Sequence, residues 1–302
     1  MKAQTKQWIE KQFGFQAEIA ETIQLDGGLS SDMYEVHFKK RASIVIRQIR
    51  NASWLEEEKD ILLQEKHQLK QVADSQIPAP RFIAVDPYGE NCGIPTLMMT
   101  KLPGHIQATI PINQMLEHLA NCANMIHQTK INNQQYFYEA YMQIETLEIP
   151  QWTRYPAVWK ALYDYIQQTD MPAYEVRFIH RDFHLNNMLW DKGTISGVVD
   201  WINSCMGPKY IDIAHCRWNL AMTHSVQEAD IFLQKYEELQ SGGDSYQIYW
   251  DIRALFDIDP ASISVYDAWH YLSIPPIDKQ TLYARMDAYA KSLAEKIGGD
   301  IT

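Results

Sequence analysis

The sequence has little cysteine, no excess of basic residues and no long apolar run. Its four cysteines include no Cys-x-x-Cys pair, a pattern that favours buried thiols in a reducing, cytoplasmic setting over a disulfide framework. The polar N-terminus lacks the apolar core of a signal peptide, and no apolar run approaches the ~20 residues of a membrane helix. The net charge of −11 argues against a nucleic-acid partner, because phosphate backbones favour clustered lysine and arginine.

The remaining composition is that of a folded globular protein. Apolar residues make up 46% of the chain, which includes nine tryptophans, so a large core can form. Charged residues, at 22%, are in the ordinary range. A chain of 302 residues predicts one large domain or two lobes.

One stretch, from Phe178 to Asn203, contains the polar residues that phosphoryl transfer requires. It has His-x-Asp at His180 and Asp182, an asparagine five positions later at Asn187, and a second aspartate at Asp200. In such reactions one carboxylate orients and deprotonates the attacking hydroxyl, while an amide oxygen and another carboxylate hold the Mg²⁺ that bridges the nucleotide phosphates. Any one of these residues alone is more often an ordinary turn residue or a buried core residue. The four in this order favour the kinase interpretation.

The segment between the two proposed metal ligands predicts a β-hairpin. Short apolar runs at 188–190 and 195–199 flank a turn at 191–193. Such a hairpin would bring Asn187 and Asp200 to one cation.

These motifs resemble the aminoglycoside phosphotransferase family, whose members are small-molecule kinases. The resemblance is carried by His180-Arg181-Asp182-Phe183-His184, Asn187-Met188-Leu189-Trp190, Val198-Val199-Asp200-Trp201 and Gly207-Pro208-Lys209-Tyr210-Ile211-Asp212-Ile213-Ala214. It extends over roughly residues 15 to 240. Arg181 replaces the more usual glycine. Trp201 stands where protein kinases have the phenylalanine of Asp-Phe-Gly, and no Ala-Pro-Glu segment follows, so a protein kinase is disfavoured.

The resemblance implies an α+β, bilobal protein-kinase-like fold. We expect a small antiparallel-sheet N-terminal lobe with one helix over residues 1–102, and a larger, mostly helical lobe over residues 103–302. The first lobe would bind the nucleotide and end in the connection between lobes. The second would hold the catalytic loop and the acceptor site. A monomer is expected, because this fold closes its site within one chain.

Several residues of the N-terminal third match the family's nucleotide-binding positions. Gly27 and Gly28 precede Ser30 in the loop expected over the phosphates, although the full Gly-x-Gly-x-x-Gly is absent. Arg47 ends an apolar strand and takes the place of the kinase lysine that holds phosphates. The segment Thr100, Lys101 and Leu102 is expected to bind the adenine edge through its backbone.

A helix predicted over residues 53–73 would supply the carboxylate partner of Arg47. Glu58 lies four positions before Leu62 and is assigned to this ion pair, with Glu56 and Glu57 as the alternatives. All three are equally consistent with a solvated acidic helix face.

We therefore predict ATP-dependent phosphorylation of a hydroxyl on a small molecule, with ATP and Mg²⁺ as cofactors. Asp182 is the catalytic residue, Asn187 and Asp200 are the metal ligands, and Asp212 and His180 are expected to support the catalytic loop. An antibiotic such as an aminoglycoside or macrolide is one acceptor class. A metabolite kinase of the choline, homoserine or sugar type and a catalytically silent nucleotide-binding protein are the alternatives.

The acceptor cannot be identified from the sequence. Acidic side chains in the C-terminal part could meet the ammonium groups of an amino sugar, whereas tryptophans there could face a bulky apolar acceptor. The residues in question are Asp244, Asp251, Asp257, Asp259, Trp250 and Trp269.

Overall fold

A computed structural model of the chain describes residues 1–14, 17–25, 31–51, 55–56, 58–132 and 134–298. These residues form two compact units. The first unit comprises Met1–Gly104 with Ser196–Asn203, and the second comprises His105–Ile195 with Ser204–Thr302. The sequence-based division at residue 102 placed 196–203 with the second domain, whereas this segment belongs to the first unit.

The first unit is built on an antiparallel sheet. Its strands and helices, in chain order, are α1 (Ala3–Phe13), β1 (Ile19–Leu25), β2 (Ser31–Phe38), β3 (Ile44–Ile49), α2 (Ile61–Val72), β4 (Phe82–Asp86) and β5 (Thr96–Thr100). The strand order in the sheet is β1-β2-β3-β5-β4. Unit one thus holds α1 in addition to the one expected helix. Its core includes Trp8, Tyr34, Val36, Ile46 and Met98.

Strand β3 lies at the centre of this sheet, and all six of its residues are buried. Its β-branched residues Ile44, Val45 and Ile46 suit a strand covered on both faces. Arg47 therefore enters the protein interior on the backbone of a core strand, where a charge requires partners.

The second unit is mostly helical. Its elements are α3 (Ile112–Gln128), α4 (Pro156–Gln168), β6 (Val176–Ile179), β7 (Met188–Asp191), β9 (Cys205–Pro208), α5 (Lys209–Thr223), α6 (Val226–Glu238), α7 (Ile248–Asp257) and α8 (Lys279–Lys296). Strands β6 and β9 pair in an antiparallel ladder. The predicted α+β class, an antiparallel sheet followed by helices, is confirmed.

The predicted hairpin is also confirmed. Strand β7 pairs with β8 (Thr194–Val198). The two turn residues, Lys192 and Gly193, have φ of 50° and 80°, as a type I′ turn requires at both central positions.

Two further expectations concern the cysteines and the membrane. All four cysteines are buried and free, as predicted. Within the described residues, no helix combines the length and apolar character that crossing a membrane requires.

Candidate active site

Arg47 in the first unit is bound by two carboxylates. Its side chain is 7% exposed, and its two terminal nitrogens lie 3.0 Å from Glu65 Oε1 and 2.8 Å from Asp200 Oδ1. A buried guanidinium is stable only when its donors are paired. The two contacts fix the direction of the Arg47 side chain within this unit.

The predicted ion pair between Arg47 and Glu58 is wrong, because the partner is Glu65. Helix α2 begins at Ile61, so Glu58 precedes it and is exposed. Glu65 lies on the buried face of α2, together with Leu62 and Leu69. Of the alternatives, Glu56 is exposed and Glu57 lies outside the described residues. The Glu-x-x-x-Leu spacing that selected Glu58 recurs one heptad later at Glu65 and Leu69.

The raised pKa of Glu65 should make the stability of the folded protein depend on pH. Burial raises the pKa of Glu65 to about 7 from 4.5, against the opposing attraction of Arg47. Because the folded state then binds more protons than the unfolded state, stability should fall as pH rises from 4.5 to 7, by on the order of 3 kcal/mol. Urea denaturation at pH 5 and pH 8 measures this difference. Glu65→Gln should reduce the difference in unfolding free energy between pH 5 and pH 8, whereas the matched control Glu58→Gln should not reduce it. Equal differences in the two variants would contradict the assignment of the raised pKa to Glu65.

Asp200 follows β8 in a conformation that few residues adopt. Its φ is 66°, in the left-handed region that aspartate tolerates better than most residues. A 3₁₀ turn, Trp201–Asn203, follows it, and buried Trp201 donates its indole N–H to Val198 O at 2.8 Å. The carboxylate is 35% exposed, and Arg47 contacts Oδ1. An accessible carboxylate oxygen is the type of ligand that Mg²⁺ prefers.

The predicted adenine-binding segment follows β5, and its role stays a prediction. The Thr100 backbone N–H donates to Arg81 O at 2.9 Å, and the Arg81 backbone N–H donates to Thr100 Oγ1 at 2.8 Å. The Lys101 ammonium group donates a hydrogen bond to Leu102 O at 3.1 Å. Ser30, the predicted phosphate contact, lies outside the described residues.

In the second unit, Asp182 accepts hydrogen bonds on both carboxylate oxygens. Asn187 Nδ2 donates to Asp182 Oδ2 at 3.0 Å and to the Asp182 backbone oxygen at 2.8 Å. Nε2 atoms of His215 and His184 lie 3.1 Å and 3.4 Å from Oδ1. The carboxylate is still 30% exposed. The predicted base is therefore held in one orientation while remaining accessible.

His184 and His215 both face one oxygen of Asp182. Asp182, His184 and His215 lie close enough, within 4.8 Å, to hold a metal ion. His184 Nε2 also lies 3.2 Å from Asn187 Nδ2, and His215 Nε2 lies 3.3 Å from Asn219 Nδ2. An Nε2 atom that carries its proton donates to Asp182, whereas one that lacks the proton accepts from the amide or binds a metal.

Asp182 is a weak base held in its anionic form. Burial alone would raise the pKa of Asp182, but attraction and hydrogen bonds from His184 and His215 outweigh it and hold that pKa well below its usual range. Such a carboxylate accepts and orients a hydroxyl without competing for protons at neutral pH.

Asp212, at the start of α5, fixes the backbone of the catalytic loop. It is fully buried, and its two oxygens accept the backbone N–H groups of His180 at 2.8 Å and Arg181 at 2.7 Å. His127 Nε2 lies 3.1 Å from the same carboxylate. Arg181 has a φ of 70°, so this strained turn depends on the aspartate. The predicted supporting role of Asp212 is confirmed.

His180 is fully buried and contacts Phe183 edge to face, with ring centroids 6.3 Å apart. It lies in the interior beneath the loop, as the predicted supporting role requires. The sequence analysis did not identify His215. A signal was present, since His215 follows Asp212 by three positions and so shares its face of α5.

Known phosphotransferases are similar to this chain. The sequence profile of the phosphotransferase enzyme family (APH) matches residues 21–249. No curated protein matches the chain.

Solved structures show the same fold at low sequence identity. A ternary complex of a thermostable aminoglycoside phosphotransferase APH(4)-Ia variant with ADP and hygromycin B is 14% identical, with 98% of this chain and 100% of that chain covered and a TM-score of 0.64. Amicoumacin kinase hAmiN, in complex with AMP-PNP, Ca²⁺ and Ami, is 14% identical over 96% of each chain, with a TM-score of 0.58. The fold is therefore the protein-kinase-like fold of these enzymes. The profile match over most of the chain shows that it belongs to the phosphotransferase enzyme family (APH).

Proposed function

We propose that the protein catalyses ATP-dependent transfer of a phosphoryl group to a hydroxyl of a small molecule. The observation that carries the proposal is Asp182, an accessible carboxylate oriented by Asn187 and two histidines above a loop that Asp212 fixes. This carboxylate would accept the hydrogen bond of the acceptor hydroxyl and take its proton as the bond to phosphorus forms. A protein that only binds a nucleotide would have no need of an accessible, oriented carboxylate at Asp182.

Arg47 is the proposed phosphate ligand. Its guanidinium is already oriented by Glu65, and arginine matches phosphate oxygens in a two-pronged geometry. Similar structures contain ADP or AMP-PNP, which supports a nucleotide as the donor. Thr100, Lys101, Leu102 and Ser30 remain the proposed contacts to the rest of the nucleotide.

The residues assigned to Mg²⁺ have the chemistry that this ion requires. Asn187 uses its amide nitrogen on Asp182, so its amide oxygen is the atom directed to other ligands. Asp200 supplies an accessible carboxylate, and both groups are hard oxygen donors. The ion would neutralise the charge on the transferred phosphates.

The acceptor class is open between antibiotics and metabolites. Two structures with this fold contain hygromycin B and amicoumacin, which supports an antibiotic acceptor. Choline, homoserine and sugars are the metabolite alternatives.

ADP release from Mg-ATP across aminoglycosides, macrolides, choline, homoserine and simple sugars tests the proposal. We expect release that depends on one acceptor class. Nucleotide bound in calorimetry without release for any acceptor would favour the binding-only alternative, and absence of nucleotide binding would contradict the kinase assignment itself.

A further inference from the structure

Two histidines and the predicted catalytic carboxylate of the second unit converge on one point. His215 Nε2, at 3.1 Å, and His184 Nε2, at 3.4 Å, both face Oδ1 of Asp182. The three atoms all lie within 4.8 Å of one another. His184 follows the catalytic loop and His215 lies on α5, so the fold brings together residues that are distant in the sequence. Each of the three atoms can act as a metal ligand.

The spacing of these atoms fits a four-coordinate metal ion. Zn²⁺ binds nitrogen and carboxylate oxygen at ~2.0–2.1 Å, so two such ligands at a tetrahedral angle lie roughly 3.3–3.4 Å apart. The corresponding distances from Oδ1 of Asp182 to the two histidine nitrogens are 3.1 Å and 3.4 Å. The remaining distance, between the two Nε2 atoms, is no longer than 4.8 Å. Rotation of each ring that moves its nitrogen by under ~1 Å closes this edge of the tetrahedron.

Two imidazoles and one carboxylate select a particular class of cation. Zinc sites with this kind of ligand set hold three protein ligands and keep a fourth position open. Imidazole suits Zn²⁺ and its neighbours in the first transition row, whereas Mg²⁺ takes oxygen ligands such as those of Asn187 and Asp200. The side chains of Asp182 and His215 are 30% and 15% exposed, so an ion can reach these ligands from solvent.

The neighbouring amides are compatible with the unprotonated nitrogens that a metal requires. Asn187 Nδ2 lies 3.2 Å from His184 Nε2, and Asn219 Nδ2 lies 3.3 Å from His215 Nε2. An amide N–H only donates, so each contact is a hydrogen bond only when the histidine nitrogen lacks its proton. When a metal takes that lone pair, Asn187 still donates to Asp182, and Asn219 still donates to the His215 backbone oxygen. Metal binding therefore leaves neither amide nitrogen without a partner.

One contact opposes metal binding at His184. Its Nδ1 accepts the backbone N–H of Asn186 at 3.4 Å, and a metal on Nε2 would place the ring proton on Nδ1. The contact is longer than the usual ~2.7–3.2 Å of such hydrogen bonds, so it contributes little. A bond to a zinc-like ion that two further ligands also hold outweighs it.

We propose that Asp182, His184 and His215 bind Zn²⁺ or a similar transition-metal cation, and that this ion blocks the catalytic carboxylate. The ion would take Oδ1 of Asp182, while Oδ2 accepts the amide of Asn187. A carboxylate bound to a metal is a weaker base, so the acceptor hydroxyl loses the group that takes its proton. The block rests on the proposed function, whereas the metal site does not.

Co²⁺ is the probe for binding, because it occupies zinc sites and absorbs visible light more strongly in four-coordinate than in six-coordinate geometry. Titration of the full chain, without nucleotide and with Mg²⁺ in large excess, should produce this absorption, and Zn²⁺ should abolish it by displacing Co²⁺. His215→Gln and His184→Gln should each weaken binding by more than about tenfold, the least that loss of even a residue supporting a ligand costs. His105→Gln is the matched control and should bind as the native protein does, because His105 is an exposed histidine of the same unit outside the cluster.

Three outcomes would overturn the metal site: no four-coordinate Co²⁺ absorption, equal affinity in His215→Gln and the native protein, or displacement of Co²⁺ by Mg²⁺ at a similar concentration. Binding that His105→Gln weakens as much as His215→Gln does would show surface histidines binding the ion instead.

ADP release measured on the same samples separates this inference from the proposed function. Zn²⁺ should lower acceptor-stimulated ADP release by the native protein over the concentrations at which it displaces Co²⁺, with Mg-ATP in excess. Acceptor-dependent release that Zn²⁺ leaves unchanged would contradict the block and keep the kinase assignment. Co²⁺ binding that both glutamine variants lose, with no ADP release for any acceptor, would support the metal site and remove the kinase assignment.

Discussion

Asp182→Asn is expected to lower kcat on the order of 10³-fold, because the amide cannot take the proton of the acceptor hydroxyl. Asn187 and His215 contact different carboxylate oxygens, at 3.0 Å and 3.1 Å, so the single amide oxygen keeps one of these two hydrogen bonds. The loop backbone should keep its conformation, because Asp212 holds it through the backbone N–H groups of His180 and Arg181. Acceptor-stimulated ADP release measures the loss, and calorimetry should show nearly unchanged nucleotide affinity.

Asp191→Asn is the matched control for this variant. Asp191 is an exposed aspartate at the end of β7, close in sequence to the catalytic loop. Its substitution should leave turnover within about twofold, since surface changes of this kind are close to neutral. Near-normal turnover in Asp182→Asn would show that another group is the base.

Asp212→Asn is expected to destabilise the protein by about 3 kcal/mol. The carboxylate accepts two backbone N–H groups and is fully buried, whereas an amide offers one acceptor and turns a second N–H toward these donors. A buried donor left unpaired costs about 1–3 kcal/mol, and more beside a lost charge. Urea denaturation at pH 7 measures the difference from the native protein. Turnover should also fall, because the backbone of the catalytic loop loses its support.

The effect of Asp212 also has a predicted pH dependence. Burial alone would raise the pKa of Asp212, but His127, with the hydrogen bond from the His180 backbone, lowers it overall. A carboxylate whose pKa is lower in the folded state stabilises the folded protein at pH values above its unfolded-state pKa of ~3.9. This stabilisation is lost as the pH falls through the folded-state pKa. The difference between native protein and Asp212→Asn should therefore shrink below about pH 4. Asp164→Asn is the control, because its exposed pair with Lys160 is worth under about 1 kcal/mol. If Asp212→Asn lowers the free energy of unfolding no more than Asp164→Asn does, Asp212 does not hold the backbone of the loop.

The sequence identified the catalytic stretch because chemistry fixes both the residue types and their spacing. Asp182, Asn187 and Asp200 lie around a short hairpin whose turn is marked by Lys192-Gly193, so local signals were sufficient. The supporting role of Asp212 came instead from the resemblance to kinases, in which an aspartate at the start of a helix braces this loop. The α+β order followed from the strand and helix patterns.

The choice between Glu58 and Glu65 could not be made locally. Both precede a leucine by four residues, and the predicted helix over 53–73 included both. The start of α2 at Ile61 separates them, and so does burial, since Glu65 is buried and Glu58 is exposed. Helix boundaries are the least certain part of any assignment from sequence.

The environment of Arg181 depends on contacts between distant residues. Arg181 pairs with Asp257, which lies 76 positions further along the chain. No periodicity connects these two residues. Asp244, Asp251 and Asp257, which the sequence left available to a ligand, also pair with residues far away in the sequence: Lys209, Arg217 and Arg181.

We propose that this chain transfers a phosphoryl group from ATP to a small molecule through Asp182. Mass spectrometry of the acceptor after incubation with Mg-ATP tests this proposal most directly, with native protein and Asp182→Asn side by side. We expect an acceptor that gains one phosphoryl group with the native protein and none with the variant. An equal phosphorylated yield from both proteins, or no phosphorylated acceptor from the native protein while ATP is bound, would contradict it.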